Sequence, residues 1–215
     1  MNTLLLEEIS LKLQKGKTKD IKLLVPKALE EGIPAKDILN DGLLAGMSVV
    51  GVKFKNNEIF VPEVLIAARA MKAGTEILKP HLVSDDAKPV GKVVLGTVRG
   101  DFHDIGKNLV KMMMEGNGLE VVDLGVDVAP ETFVSAAKEN GANVIACSAL
   151  LTTTMGEMKN IVELCKAEGI RENVKVMIGG APITDEYCKE IGADAYTSDA
   201  ATAAEIAVSL IRPVA

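Results

Sequence analysis

Over the first 85 positions apolar residues recur at helical spacing, as at Leu4, Leu5, Ile9 and Leu13 and again at Ile21, Leu24, Val25 and Leu29. Such spacing lines one face of a 3.6-residue repeat. Gly32 and Pro34 close the second of these helices, and a third is predicted from about Ala35 through Ile38, Leu39, Leu43 and Met47. A polar loop at Lys55, Asn56 and Asn57 precedes a fourth, for which Pro62 suits the first turn and Glu63 the positive end of the helix dipole. The expectation for residues 1–85 is a four-helix bundle.

The polar stretch from Val83 to Gly91 contains Ser84, Asp85, Asp86, Lys88 and Pro89 and reads as a linker and natural hinge, with residues 86–91 joining the two parts. Beyond it, over residues 92–215, the period changes. Short strand-like runs at 92–98, 120–124, 143–148, 175–178 and 195–197 alternate with helical segments. Parallel strands need crossover connections, and those are usually helices, so this α/β half is predicted to be a doubly wound, five-stranded parallel sheet of the Rossmann or flavodoxin-like kind. Ligands in such sheets sit beyond the carboxyl ends of the strands, where the strand order reverses. The loops at 99–106, 148–154 and 179–182 are therefore the places to look for chemistry.

Composition narrows the class. The chain has 215 residues, 48% hydrophobic and 25% charged, with no long apolar run and no N-terminal signal pattern, which predicts a cytoplasmic protein without membrane contact. Cys147, Cys165 and Cys188 are odd in number and widely spaced, so neither a disulfide framework nor a zinc site is expected and each reads as a small buried hydrophobe. A net charge of -6 with four Phe, two Tyr and no Trp leaves little to neutralise phosphates or stack on bases, which argues against nucleic acid as a partner.

The loop after the first predicted strand bears glycines but is not a phosphate cradle. Gly100 and Gly106 enclose five residues where a P-loop needs four, and Asn108 stands where Ser or Thr should follow Lys107. What the loop holds is Asp101, Phe102, His103, Asp104, Ile105 and Gly106. Imidazole nitrogen is a good transition-metal ligand, and a metal-bound histidine commonly passes its other N–H to a carboxylate; Asp101 is placed to be that carboxylate. The competing reading is a surface loop in which Asp101 or Asp104 caps the following helix and His103 is solvated. No second His or Cys lies nearby, so a metal held here must bring its other ligands with it, as in a macrocycle.

Three motifs together resemble the corrinoid-binding proteins of methyltransferase systems and the cobalamin-binding region of methionine synthase. They are D-x-H-x-x-G at Asp101, His103 and Gly106, S-x-L at Ser148, Ala149 and Leu150, and G-G at Gly179 and Gly180. The resemblance extends to the helical half through Gly51, Phe54, Phe60, Val61, Pro62 and the run from Ala67 to Met71.

The resemblance implies a cobalamin cofactor, with cobalt alternating between methylcobalamin and cob(I)alamin and bound base-off/His-on, so that His103 takes the lower position vacated by the nucleotide tail. It implies a relay from His103 through Asp101 to a hydroxyl, here Thr154 where methionine synthase has serine. Asp104, Ile105, Gly106, Ser148, Leu150, Thr152, Gly179 and Gly180 would line the tail's slot, and the helical half would cap the corrin with Phe54, Val61 and Val64. Capping of helices is the ordinary alternative for Ser148 and Thr154, and bundle core for the cap residues. Met47, Met112, Met113 and Met114 read as core, and His81 as a solvated helix end. The implied activity is that of a methyl carrier, not catalytic alone, serving a substrate-specific methyltransferase and an acceptor methyltransferase, with a reductive activation protein as a further partner. The competing classes are the cobalamin-binding subunit of an adenosylcobalamin mutase, a cobalamin-based sensor and a non-catalytic flavodoxin-like scaffold.

Overall fold

The computed structural model describes residues 2–82 and 89–212. Residues 83–88, most of the predicted linker, lie outside the described residues. The chain divides at 88/89 into two compact units, the stretch Gly116–Gly118 aside.

The first unit is helical: α1 (Asn2–Gln14), α2 (Thr18–Glu30), α3 (Ala35–Asp37), a π-helical stretch (Ile38–Leu44), α4 (Ala45–Lys55), α5 (Val61–Leu78) and a 3-10 turn (Lys79–His81). Since α3, the π stretch and α4 join through residues in helical conformation, they form one continuous third helix, starting at Ala35 as the spacing predicts. The π stretch is not visible in the periodicity. Ile9, Leu13, Ile21, Val25, Leu43, Met47, Ala67 and Leu78 are fully buried, whereas Leu4 stands 70% exposed on the outer face of α1. The Glu63 carboxylate accepts the Phe60 N–H at 3.1 Å and so closes the start of α5.

The second unit alternates β1 (Lys92–Thr97), α6 (Ile105–Gly116), β2 (Glu120–Asp123), α7 (Pro130–Asn140), β3 (Val144–Ser148), α8 (Gly156–Ala167), β4 (Lys175–Gly179), α9 (Asp185–Ile191), β5 (Ala195–Thr197) and α10 (Ala200–Ile211). All strand pairs are parallel, in the order β2-β1-β3-β4-β5. Strands covered on both faces read as near-continuous apolar runs, and the burial pattern shows it. Val94, Ile145, Cys147, Val176 and Ile178 enter a core with Phe133 of α7, Ile161 and Cys165 of α8 and Cys188 of α9. Their strand neighbours Val93, Leu95, Val144, Ala146 and Met177 are buried as well, with side chains alternating to the other face.

The three cysteines are free and buried, and burial pushes each thiol up from its ordinary value, so they act as apolar packing. No helix among the described residues is long and apolar enough to cross a membrane.

The strand order reverses between β1 and β3, because the chain leaves β1 toward β2 on one side and returns to β3 on the other. At such a switch point the loops following the two central strands diverge to opposite faces and leave a crevice at the carboxyl ends. Main-chain pairing continues past β1, where Val98 N–H donates to the Ser148 carbonyl at 3.0 Å, so the two loops start side by side.

Candidate functional site

Asp101 is the centre of the crevice. Its side chain is fully buried although it lies in a loop. Gly100, at a φ of +81, turns the chain, and the Asp101 N–H then donates to the Val98 carbonyl at 3.1 Å, which drives the carboxylate inward. Oδ1 accepts the His103 N–H at 3.0 Å and stands 2.7 Å from His103 Nδ1. Oδ2 accepts the N–H groups of Leu150 at 2.7 Å and Leu151 at 3.2 Å and lies 3.1 Å from Thr154 Oγ1. One carboxylate thus ties the loop after β1 to the loop after β3.

Burial by itself would raise the Asp101 carboxyl. The His103 N–H, the Leu150 N–H, the His103 ring and the Leu151 N–H outweigh it and hold the carboxyl well below the ordinary range. An ionised carboxylate only accepts, so His103 Nδ1 must be the donor. The other ring nitrogen, Nε2, is left with no protein partner among the described residues, on a side chain that is 52% exposed. The geometry is that of an imidazole held in one tautomer and offering one lone pair.

Asp101 is not a helix cap. The Asp104 carboxylate accepts Asn108 Nδ2 at 3.0 Å, one turn into α6. Ile105 at 79%, Phe102 at 69% and Leu150 at 42% leave an apolar rim exposed around His103. A Cβ built at Gly106 meets nothing within 4 Å, so the start of α6 faces open space. The half-buried Ser148 hydroxyl makes no hydrogen bond to a described residue, while Thr154 is buried and has the Leu151 carbonyl at 2.9 Å as a second acceptor. Thr152 is exposed and takes no part in this network.

Gly180 has a reason internal to the protein. At a φ of +132 its Cβ would fall 1.9 Å from the Ala149 carbonyl oxygen. Gly179 accepts the Ala149 N–H at 3.1 Å, so the G-G pair supports the loop that reaches Asp101.

The positions matched to the cap divide. Val61 is 37% exposed and Phe54 half-buried. Val64 is fully buried, because it begins the inner stripe of α5 that continues through Ala67, Met71, Gly74 and Leu78, and it offers no surface to a ligand in this conformation. Met47, Met113 and Met114 are buried and His81 is exposed.

Sequence reasoning missed two supports. Lys107, 3% exposed, donates to Asp123 at 2.7 Å, with Lys111 at 3.2 Å from the same carboxylate, so the first turn of α6 is anchored to the end of β2. The second is the loop after β2, which hydrogen-bonds to the Asp101 turn. Its signal was present as Asp123, Gly125 and Asp127 clustered at the end of a strand, outside the three loops singled out.

Among the described residues no three His, Cys, Asp or Glu side chains could together hold a metal ion. A single oriented imidazole, an apolar rim, open space at Gly106 and an unpartnered hydroxyl at Ser148 fit a flat metal macrocycle that brings its own equatorial ligands and a tail.

Comparison with known proteins gives the class. The family described as B12 binding domain matches residues 91–208, and a second family of the same description matches residues 5–79. A corrinoid protein of Desulfitobacterium hafniense is 40% identical over 210 residues, covering 96% of this chain and 97% of the relative. Dimethylamine corrinoid protein 1 of Methanosarcina mazei is 44% identical over 208 residues, 96% of each. Among solved structures, the methanol:cobalamin methyltransferase complex of Methanosarcina barkeri contains a chain that matches with a TM-score of 0.87 at 31% identity, over 98% of this chain and 80% of that one. The two halves are thus both B12 binding domains, and the chain belongs to the corrinoid proteins.

Proposed function

We propose that this chain is the methyl-carrying corrinoid protein of a methyltransferase system, holding cobalamin base-off with His103 Nε2 as the lower ligand of cobalt. The observation that carries the reading is the 2.7 Å contact between His103 Nδ1 and a fully buried, ionised Asp101 at the β1/β3 switch point. When bound, the corrinoid supplies a cobalt that accepts a methyl group from a donor and releases it to an acceptor, and the protein supplies position and electrostatics.

Asp101 holds the proton on Nδ1 and makes the ring a better donor through Nε2. The N–H groups of Leu150 and Leu151 keep the carboxylate ionised, and Thr154 Oγ1 offers it a further proton. Gly106 leaves room for the nucleotide tail and the Ser148 hydroxyl is free to bind its base, with Asp104, Ile105, Leu150, Thr152 and Gly179 along the same strand ends. Phe54 and Val61 serve as apolar contacts from the helical unit.

The proteins that load and unload the carrier are a donor-specific methyltransferase and an acceptor methyltransferase, in line with the methylamine and methanol systems named for the relatives. A B12 binding domain match over the helical half favours the carrier over a mutase subunit, which lacks that half.

Reconstitution with hydroxocobalamin followed by gel filtration tests the reading. Cobalt and the corrin absorption are expected to stay with the protein in stoichiometric amount, and a methyl group placed on the reduced cofactor is expected to leave only when a methyltransferase partner is added. A colourless protein after gel filtration overturns it.

A further inference from the structure

The loop between β2 and α7 braces the Asp101 turn from a side that none of the three motifs occupies. The Thr97 N–H donates to the Gly125 carbonyl at 2.9 Å, and the Val128 N–H donates to the Thr97 carbonyl at 3.0 Å. Further along, Asp127 Oδ1 accepts the Gly100 N–H at 2.7 Å, and the Asp127 N–H donates to the Asp101 carbonyl at 3.0 Å. Thr97, fully buried, sends its hydroxyl to the His103 carbonyl at 2.9 Å. The short turn that carries the imidazole is therefore held at both ends.

Asp127 does this in a conformation that most side chains avoid. Its φ is +55, in the left-handed region that Asp and Asn tolerate because a short polar side chain can bond locally. Glycine would relieve the backbone but could not accept the Gly100 N–H, while asparagine could do both.

We propose that Asp127 is a positioning residue for His103: its carboxylate grips the peptide N–H of Gly100 and its amide the carbonyl of Asp101, on either side of the Asp101 side chain, and together they fix where the Asp101 carboxylate meets the imidazole. The proposal deepens the reading of His103 as the cobalt ligand and rests on it for its consequence in cofactor binding. Supports beyond the immediate ligands of a metal change its affinity by about 10-fold to 100-fold; Asp127, one step further out and exposed, belongs at the lower end.

Asp127→Gly and Asp127→Asn separate the hydrogen bond from the backbone. In the cofactor-free protein, NMR follows exchange of the His103 Nδ1 proton, with exposed His81 as internal reference and the amides of Ile145 and Val176 as monitors of the sheet. Asp127→Gly is expected to speed exchange at His103 and to weaken cobalamin binding by about 10-fold, at the low end of such effects, while the sheet amides stay protected. Asp127→Asn is expected to restore both. Unchanged exchange at His103 in the glycine variant, equal loosening of Ile145 and Val176, or an asparagine variant as loose as glycine would each overturn the proposal. Failure of the wild type to retain cobalamin removes the functional reading instead, and the NMR comparison still decides whether Asp127 holds the imidazole.

Discussion

Asp101→Asn is expected to lower stability by about 3 kcal/mol at neutral pH and to weaken cobalamin binding by roughly 10-fold to 100-fold. Both carboxylate oxygens accept N–H groups: Oδ1 from His103, Oδ2 from Leu150 and Leu151. An amide has one oxygen, so in either orientation its NH2 faces a donor inside a fully buried site. Each buried donor left without an acceptor costs about 1–3 kcal/mol. Urea unfolding and cobalamin titration measure the two effects.

The same variant fixes the sign of a pH dependence. The folded Asp101 carboxyl lies below its unfolded value, so the stability it contributes is fully present above the unfolded value, near 3.9, and is lost as pH falls through the folded one. The margin by which the cofactor-free wild type exceeds Asp101→Asn should therefore shrink as pH falls below about pH 4.

Gly180→Ala is expected to cost at least about 3 kcal/mol and to damage the site from a distance. The added methyl would meet the Ala149 carbonyl oxygen at 1.9 Å, and the obstacle is backbone, which cannot rotate away. Relief requires Ala149 to shift, and the next residue, Leu150, carries an N–H that reaches Asp101. Gly106→Ala is the informative contrast. A methyl there enters open space, so folding should change by less than about 1 kcal/mol, while cobalamin binding is expected to weaken because the room proposed for the tail is reduced. A thermal melt beside a cobalamin titration separates a glycine required by the fold from one required by the ligand.

Much of this architecture was legible in the chain. The five parallel strands fall within a residue or two of the runs read from the sequence, because strands buried on both faces and bounded by Gly, Asp and Asn leave an unambiguous local pattern. Strand–helix alternation pointed to the loops after the first, third and fourth strands, and the strand order then sets the switch point between β1 and β3.

What stayed hidden depends on contacts between residues distant in sequence. Asp101 to Thr154 spans 53 positions and Gly100 to Asp127 spans 27, and only the resemblance pointed to the first. The close approach of Gly180 to the Ala149 carbonyl oxygen is likewise a contact between residues far apart in the chain. The burial of Val64 is not legible either, because an inward and an outward valine look alike in the sequence.

The most direct test of the central claim is the EPR spectrum of the cob(II)alamin-loaded protein, recorded with natural-abundance histidine and again with nitrogen-15 histidine. The account predicts axial nitrogen splitting as a triplet that becomes a doublet on labelling and disappears in His103→Ala. A triplet that labelling leaves unchanged would mean that the cofactor's own base holds the cobalt, and that His103 does not.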